Sequence, residues 1–540
     1  MTPLRFLLAL AVVVFPQMEV RAADPTYWQD VRPILRKHCT VCHSERKLTE
    51  LDVSAGLALD KPELIRKGSK AGKVPVLVPG KPDESLMVAL LTTKDKRRAM
   101  PLDADPLPAA DVAVIRKWVS TGAAEGTRPK ESEAAIVGPA VSANVRKLPV
   151  TFFTRTTALP KASPIAAPIG ATLPVGPLPP VAAVAFSPDG KLLAVGSYGR
   201  ATVWDLTTAK PAQVITHVLG AVNDLKFSPD GSKLAVAGGQ PSARGDLRIF
   251  DTKDWKLLVS LGGHLDTVSG VSWSPDSSKI ASASFDKTVR IWDMKSHAVL
   301  HSFTGHSDFV YGVAFSPKGD WIATASKDRS GRIIDVASGK STGTLSGAEQ
   351  EVLAVAVNPA TGQVVTSGFE TAVSWWNAKT AERLRKTGGP GVAVHEIAFD
   401  AKGTIMVVAG GDGTLRPYDC TTGAAARAAQ AGSAVFALAV DGPGKRMVSG
   451  AADGLVKLWD IKEARLLATF WSGPGAGEQG QWIAFADGYF SASDGLASKA
   501  IWKGDGKPVA NAKLLVPLND SARVAKAIQG EKLPEPVFPK

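Results

Sequence analysis

Two cysteines and a histidine near the amino terminus have the residue types and spacing that covalent haem attachment requires. Cys39, Cys42 and His43 form a C-x-x-C-H sequence, the pattern of c-type haem attachment. Two thiols one helical turn apart can form thioethers with the two vinyl groups on one porphyrin edge, and the next imidazole then reaches the iron. The sequence therefore predicts one covalently attached haem c, with His43 as the proximal iron ligand.

Two other uses of this motif fit the surrounding sequence less well. A redox disulfide between Cys39 and Cys42 would be typical of a βαβ context, whereas the pattern here is helical. A zinc site needs a fourth ligand, and the third cysteine, Cys420, lies far along the chain. We interpret Cys420 as a packed, unreactive thiol.

A methionine is the natural ligand for the opposite side of the iron, because a thioether gives a six-coordinate electron-transfer haem with a raised potential. Met100, in the irregular segment RRAMP (97–101), is the predicted distal ligand. Met87 lies in the apolar helical pattern ESLMVALL and is predicted to pack in a core. If Met100 does not bind the iron, an open five-coordinate haem would suit a peroxidase or a gas sensor.

The first 22 residues have the pattern of an export signal. Arg5 precedes a short apolar run at 7–15, and small residues at 20–22 allow cleavage after Ala22. A single membrane anchor is the alternative, but the run is shorter than the roughly 20 residues that cross a bilayer. We expect a periplasmic protein, which agrees with haem attachment after export.

The elements that must position the haem site follow in the next hundred residues. In a chain of 540 residues that is 45% hydrophobic and 21% charged, several globular domains are expected. Apolar residues at helical spacing predict a small all-α domain over 24–126. Residues 127–180 contain ten of the 37 prolines and predict an extended linker, with 150–153 apolar enough for a strand.

From residue 181 the sequence repeats, and the repeat decides the architecture. An apolar residue that opens a Ser-Pro-Asp-Gly-like turn recurs at intervals of 41 to 46 residues, at Phe186, Phe227, Trp273, Phe315, Val357, Phe399 and Val440. A second mark follows each one by 18 to 23 residues, at Trp204-Asp205, Phe250-Asp251, Trp292-Asp293, Ile334-Asp335, Trp376-Asn377, Tyr418-Asp419 and Trp459-Asp460. Short alternating runs between the marks predict four strands per repeat.

These repeats resemble the WD-repeat family, most clearly in SGVSWSPDSSKIASASFDKTVRIWD (269–293), which follows Gly263-His264, and again after Gly305-His306. The resemblance implies an all-β seven-bladed propeller over 181–471, with His264 and His306 in structural hydrogen-bond networks. Residues 472–540 contain a weak blade-like echo. We expect seven blades with this segment as an appendage and tail, an eighth blade being the alternative.

Residues 24–126 resemble the cytochrome c domains of planctomycete proteins. The matching segments are YWQDVRPILRKHCTVCH (27–43), VPGKPDESLM (78–87), AMP (99–101) and LPAADVAVIRKWVSTGA (107–123). In that family the methionine of a Met-Pro-Pro sequence looks like the distal ligand, which carries over to Met100. Leu102 replaces the second proline, a departure from the family pattern that bears on the distal geometry.

Together these features predict an exported monohaem electron carrier whose propeller docks a redox protein. The net charge of +12 favours an acidic partner and does not by itself imply nucleic acid. The alternative is a periplasmic propeller oxidoreductase that uses the c-haem as its electron outlet. The blades lack the extra cluster of His, Cys or carboxylate residues that would hold a second cofactor, and no nucleophile or phosphate-loop motif is present, so an enzyme is the less favoured interpretation.

Overall fold

A computed structural model describes residues 24–38, 57–59, 61–68, 75–93, 100, 107–127, 150–153, 169–173, 178–387, 391–473, 480–497, 501–504, 507–508 and 517–534. The export signal and the attachment motif at 39–43 lie outside these ranges. The chain divides into two compact units, Met1–Ala140 and Val141–Lys540. Within the described ranges, no helix has the length and apolar character needed to cross a membrane.

The amino-terminal unit contains helices, as the periodicity predicts. A π-helical turn at Tyr27–Val31 leads into Arg32–His38. The other helices in the described ranges of this unit are Pro62–Lys67, Leu86–Thr92 and Ala109–Ser120, with a 3₁₀ turn at Pro82–Glu84. The Ala109–Ser120 helix has an acidic residue in its first turn and a lysine in its last, which suits the helix dipole. It ends before Gly122, whose φ of 95° is left-handed.

One apolar core holds the described part of this unit together. Tyr27 and Trp118 lie at its centre, both 0% exposed, with ring centroids 6.0 Å apart. The Tyr27 hydroxyl donates to the Leu59 carbonyl at 2.8 Å, and Trp118 Nε1 donates to the Ala124 carbonyl at 2.8 Å. These bonds satisfy the polar ends of the two aromatic side chains, so both can be fully buried.

The second unit consists mostly of antiparallel sheets whose strands follow the sequence repeats. The third to sixth repeats form four sheets of four sequential strands each. Their bounds are β9 Val268–Trp273, β10 Lys279–Ser284, β11 Val289–Asp293 and β12 Val299–Phe303; β13 Val310–Phe315, β14 Trp321–Ser326, β15 Gly331–Asp335 and β16 Ser341–Leu345; β17 Val352–Val357, β18 Val364–Gly368, β19 Val373–Trp376 and β20 Arg383–Thr387; β21 Val394–Phe399, β22 Ile405–Gly410, β23 Thr414–Asp419 and β24 Ala429–Gln430.

The first two repeats share one six-stranded sheet, because the long strand β5 continues from the first repeat into the second. The strands are β3 Ala183–Phe186, β4 Leu192–Asp205, β5 Lys210–Phe227, β6 Lys233–Gln240, β7 Arg244–Asp251 and β8 Leu257–Ser260. The residues that lengthen the second repeat, 238–245, extend the β6–β7 hairpin up to the pair Gln240–Arg244. Only 241–243 form the turn.

The seven opening strands contact one another in sequence order: β3, β5, β9, β13, β17, β21 and β25, the last of which is Val435–Val440. Strand β25 also contacts β3. The Val181 N–H donates to the Ala451 carbonyl at 3.1 Å, across the same junction between first and last repeats. Between neighbouring repeats lie separate apolar clusters, such as the one that joins Ile280 and Trp292 to Ala235 and Ile249. The core is thus a series of packed sheet faces.

The repeating Ser-Pro-Asp-Gly mark is a turn closed by its own side chains. In the first repeat, Ser187 Oγ donates to Asp189 Oδ1 at 2.6 Å, and the Lys191 N–H donates to the same oxygen at 3.1 Å. Gly190 follows with a φ of 68°, which favours glycine. The hydrogen bonds at the equivalent Asp276 lower the pKa of that carboxyl to about 2, so this turn keeps its charge at neutral pH.

The carboxyl-terminal segment extends the seventh repeat outward. Its strands are β25 Val435–Val440, β26 Arg446–Ala451, β27 Val456–Asp460, β28 Arg465–Gly473, β29 Gln481–Ala486 and β30 Tyr489–Ala492, in one sheet. The blade-like echo in the sequence therefore adds two strands to the outer edge of the seventh repeat. The helices that follow in the described part of this segment are Asp494–Ala497 and Ser521–Ile528.

A further sheet joins the predicted linker to the carboxyl-terminal region. It has four strands in the order β1 Val150–Phe153, β2 Ile169–Leu173, β31 Ile501–Gly504 and β32 Lys507–Pro508. The strand predicted at 150–153 is confirmed. Its antiparallel partner β2 lies in the same Pro-rich stretch.

Candidate functional site

The predicted haem ligands fall in two places of the amino-terminal unit. Cys39, Cys42 and His43 lie outside the described residues, directly after the helix Arg32–His38. The preceding turns of that region bury Val31 and Leu35 in the core, 0% and 1% exposed.

Met100 is anchored beside another helix of the same unit. Its backbone N–H donates to the carbonyl of Leu90 at 2.9 Å, near the end of Leu86–Thr92, and its side chain is half-buried. Met87, on the opposite end of that helix, is buried in the core, as the helical pattern predicts. Of these two methionines, Met100 has the less enclosed side chain.

His264 belongs to a buried hydrogen-bond network in the third repeat. Its Nδ1 lies 2.8 Å from Asp286 Oδ2, and its Nε2 lies 2.7 Å from Ser282 Oγ, which also accepts from Trp292 Nε1 at 2.9 Å. Because an ionised Asp286 only accepts, Nδ1 carries the proton and Ser282 donates to Nε2. Burial keeps the pKa of His264 below its usual range, despite the attraction of Asp286.

The fourth repeat builds the same network without a tryptophan. His306 Nδ1 lies 2.7 Å from Asp328 Oδ2, and Nε2 lies 2.8 Å from Thr324 Oγ1. Ile334 stands where the other repeat has its tryptophan, and the Arg332 backbone N–H donates to Thr324 Oγ1 at 2.9 Å instead. The predicted structural role of both histidines is therefore confirmed.

A charged group that sequence reasoning missed lies on the opening strands of two non-adjacent repeats. Asp224 and Lys226 are on β5, with Oδ1 and Nζ 3.3 Å apart, and Glu396 is on β21. Asp224 Oδ2 also accepts from the Val271 N–H of the next repeat at 2.8 Å. Burial raises the pKa of Glu396 to about 7, although the charge of Lys226 lowers it in part.

The sequence does contain a signal for this group. We compared the positions one and three residues before the first mark of each repeat. Most of them hold small residues: Ala183, Ala185, Gly270, Ser272, Gly312, Ala314, Ala354, Ala356, Ala398, Ala437 and Ala439. Asp224, Lys226 and Glu396 are the three charged exceptions. Their interaction depends on the fold, in which the charges of Asp224 and Glu396 both act on Lys226.

Aromatic side chains gather where the third and fourth repeats meet. Phe285 stacks on Phe309 with ring centroids 4.9 Å apart, and Tyr311 meets the edge of Phe285 at 5.8 Å. Lys327 Nζ lies 4.9 Å from the Phe309 ring, and the Tyr311 hydroxyl donates to Glu351 Oε2 at 2.9 Å. These five side chains, which we call the aromatic patch, are all partly exposed.

Cys420 is a free, half-buried thiol beside the apolar cluster of the fifth and sixth repeats. Burial raises its pKa to about 11, so the thiol stays protonated at neutral pH. The predicted unreactive character agrees with this environment. No group of three or more His, Cys, Asp or Glu side chains that could hold a metal ion occurs in the described part of the chain.

Three family models match parts of this chain. Residues 221–483 match the IFT122 first beta-propeller, and residues 172–205 match the WD domain, G-beta repeat. The chain carries a WD-repeat β-propeller domain. Residues 39–103, which include Cys39 and Met100, match the Planctomycete cytochrome C model.

Individual relatives match the propeller over short stretches. WD repeat and SOCS box-containing protein 1 of Homo sapiens is 36% identical over 106 residues, 19% of this chain and 24% of that protein. WD repeat-containing protein 1 of Gallus gallus is 46% identical over 70 residues, 12% and 11% of the two chains. The Intraflagellar transport protein 122 homolog of Homo sapiens is 43% identical over 68 residues, which are 13% of this chain and 5% of that protein. The chain thus spans about a quarter of these relatives, or less.

Proposed function

We propose that this protein is an exported c-type cytochrome with one haem, which transfers single electrons while its WD propeller docks a protein partner. The match of residues 39–103 to the planctomycete cytochrome c model carries the proposal. It agrees with the C-x-x-C-H motif and with the export signal expected before Ala22. The proposed compartment is the periplasm.

The residues near the motif fit a covalently held haem. The helix Arg32–His38 directly precedes Cys39 in the chain. Met100 has its backbone fixed at Leu90 and its thioether half-buried in the same unit. A soft thioether and an imidazole are the donor set of an electron-transfer haem.

Within this proposal each residue has a separate task. Cys39 and Cys42 would hold the haem covalently, and His43 and Met100 would bind its iron. When bound, the haem supplies a one-electron iron couple. The packing of Tyr27 and Trp118 keeps water from the core of the unit, which stabilises the positions of the helices on which the ligands depend.

For the second unit we infer a closed ring of seven blades. The sequential contacts of the opening strands, and the contact between β25 and β3, support it. So does the position of β29 and β30, which extend the seventh repeat instead of starting another. A closed ring leaves no uncovered blade face and gives a rigid docking surface.

The aromatic patch is the part of this surface best suited to a protein partner. Stacked aromatic side chains offer large contact area with little loss of side-chain entropy, and they are enriched where proteins bind one another. The net charge of +12 favours an acidic redox partner, whose association would weaken as salt increases.

Absorption spectra of protein matured in a periplasm that attaches haem c would test the electron-transfer proposal. The oxidised, reduced, and reduced carbon-monoxide-treated forms would be compared with Met100→Ala, and Met87→Leu would be the matched control. A low-spin spectrum with the weak far-red thioether band, lost only in Met100→Ala, is expected. A high-spin wild type that binds carbon monoxide would contradict it, and absence of haem would overturn the cytochrome assignment.

A further inference from the structure

The fifth repeat has a cavity where the third and fourth repeats have a histidine. Each of His264 and His306 lies nine residues before the first mark of its own repeat. Ala348 lies at the same distance before Val357, the first mark of the fifth repeat, and it also follows a glycine. A small cavity that opens to solvent lies beside Ala348. Its other lining residues include Thr366, Glu370, Ser374 and Trp376.

The groups that bind the imidazole in the other repeats are retained around this cavity. Trp376 Nε1 donates to Thr366 Oγ1 at 2.8 Å, as Trp292 does to Ser282. The backbone N–H after the alanine, that of Glu349, donates to Glu370. The equivalent bond in the third repeat runs from the Leu265 N–H to Asp286 at 3.0 Å. The fifth repeat therefore has the hydroxyl, the carboxylate and the tryptophan, but an alanine instead of the imidazole.

The seventh repeat shows how a missing histidine can be replaced. There Ala431 stands at the histidine position, and Lys457 Nζ donates to the Ala431 carbonyl and lies 3.7 Å from Asp453. The residue equivalent to Lys457 in the fifth repeat is Ser374, whose side chain is too short to reach across. This difference explains why space is left beside Ala348.

We propose that this cavity binds an imidazole ring from outside the chain, the side chain of a histidine in a partner protein. The third and fourth repeats provide the template: one ring nitrogen accepts from the hydroxyl and the other donates to the carboxylate. In the fifth repeat Thr366 accepts from Trp376 and retains its own proton for an acceptor, and Glu370 supplies the carboxylate.

The surroundings of the opening favour a histidine-bearing segment. Glu349 and Gln350 are exposed there, Glu351 is partly exposed, and Phe369, next to Glu370, is 49% exposed. Lys386 compensates part of the acidic charge, with Nζ 3.1 Å from Glu370 Oε2. Glu351 is also the acceptor of Tyr311, so the cavity opens beside the aromatic patch. The site deepens the docking role proposed for the propeller and does not depend on the haem.

Calorimetric titration of the full chain with imidazole would test the site in three variants and the wild type. Ala348→His supplies the missing ring, so binding should fall at least 10-fold. Thr366→Val removes the hydroxyl and should weaken binding by roughly threefold to tenfold. Ser346→His adds an imidazole at an exposed position of the same loop and should bind like the wild type.

Imidazole can also bind haem iron, and that event is distinguished by its optical signal. A change in the haem absorption that is equal in all four proteins reports the iron, whereas the heat lost only in Ala348→His and reduced in Thr366→Val reports the cavity. Failure of the haem proposal would thus leave the cavity result intact. If Ala348→His binds imidazole as the wild type does, or if no protein shows cavity binding, the proposal is overturned.

The source of the ring is tested with N-acetylhistidine methylamide. If it competes with imidazole in the wild type and not in Ala348→His, a histidine side chain can enter the cavity from a peptide. If only free imidazole binds, the opening excludes the peptide backbone, and a histidine of a partner protein is ruled out as the occupant.

Discussion

Trp204, in the first repeat, packs against Phe470, in the seventh, with ring centroids 5.0 Å apart and planes tilted by 58°. Trp482 of the added strand β29 meets the edge of the same indole at 5.9 Å. The junction between the first and last repeats is therefore filled by side chains from the carboxyl-terminal segment. The helix Ser521–Ile528 completes it, and Gln529 Nε2 donates to the Leu206 carbonyl at 3.3 Å.

Replacing Ile528 by alanine should destabilise this junction. Ile528 is 0% exposed in the cluster that contains Trp204 and Tyr489, so the truncation leaves a cavity that costs about 2–5 kcal/mol of unfolding free energy. Urea unfolding followed by tryptophan fluorescence would measure the loss. Lys526→Ala, on the exposed side of the same helix, should change stability by less than about 0.5 kcal/mol. Equal effects of both variants would mean that the helix does not support the junction.

Removing the imidazole of His264 should convert the third repeat into the arrangement of the fifth. Ser282 and Asp286 would lose their partner in a buried place, and we expect His264→Ala to cost about 2–4 kcal/mol. His297→Asn is the control, because His297 is exposed and its left-handed φ of 59° is tolerated by asparagine. A loss as small as that of the control would show that water replaces the ring without cost.

The buried histidines should make the propeller less stable in mild acid. Burial lowers the pKa of His264 and of His306 below the ordinary 6.5. Just below pH 6.5 the unfolded chain therefore binds more protons than the folded chain. The stability that the two histidines contribute is present above that pH and is lost as the pH falls. Urea midpoints between pH 7.5 and 5.5 should decline, and His264→Ala should decline less.

Glu396 acts in the opposite direction and must be controlled in that experiment. Burial raises the pKa of Glu396 from 4.5 to about 7. The stability that Glu396 contributes is therefore present at low pH and is lost as the pH rises through that interval. The histidine measurements are therefore best made in a Glu396→Gln background. If the pH dependence in that background is unchanged by His264→Ala, the histidines are not its cause.

Replacing Lys226 by methionine should destabilise the propeller more at pH 8 than at pH 5. In the wild type Glu396 is ionised at pH 8 and is stabilised by the charge of Lys226, whereas at pH 5 Glu396 is protonated and gains nothing from that cation. We expect a loss of about 1–3 kcal/mol at the higher pH, reduced from the range for fully buried pairs because the Lys226 side chain is 38% exposed. Lys191→Met, which removes an exposed ion pair, should be nearly neutral at both pH values. A cost of Lys226→Met that is equal at pH 5 and pH 8 would argue against coupling to Glu396.

The repeat marks predicted the sheets because each mark has a local physical cause. The turn that begins at Ser187 is closed by hydrogen bonds between residues within five positions of one another, and the Trp292 indole bonds to a strand ten residues away. Such contacts are encoded within one repeat, so periodicity reveals them. The same holds for the helix that ends at Ser120, whose apolar face the spacing of Ile115 and Trp118 already indicates.

Features that depend on residues distant in the chain could not be predicted in this way. Three such features are the pairing of β29 with β28, the packing of Ile528 on the first repeat, and the electrostatic interaction of Lys226 with Glu396. The cavity beside Ala348 could not be foreseen either, because it arises from two residues 26 positions apart, Ala348 and Ser374. The ligand set at 39–43 stays a prediction from sequence.

The position of the Ser521–Ile528 helix has a consequence for how the chain is made. Leu206, beside Trp204, leaves the ribosome 323 residues before its partner Gln529, so during synthesis the first repeat has an exposed apolar edge. Its final packing must wait for the last part of the chain, and the large sequence separation makes this step slow compared with the formation of each hairpin. Until then the nascent chain should need protection from aggregation.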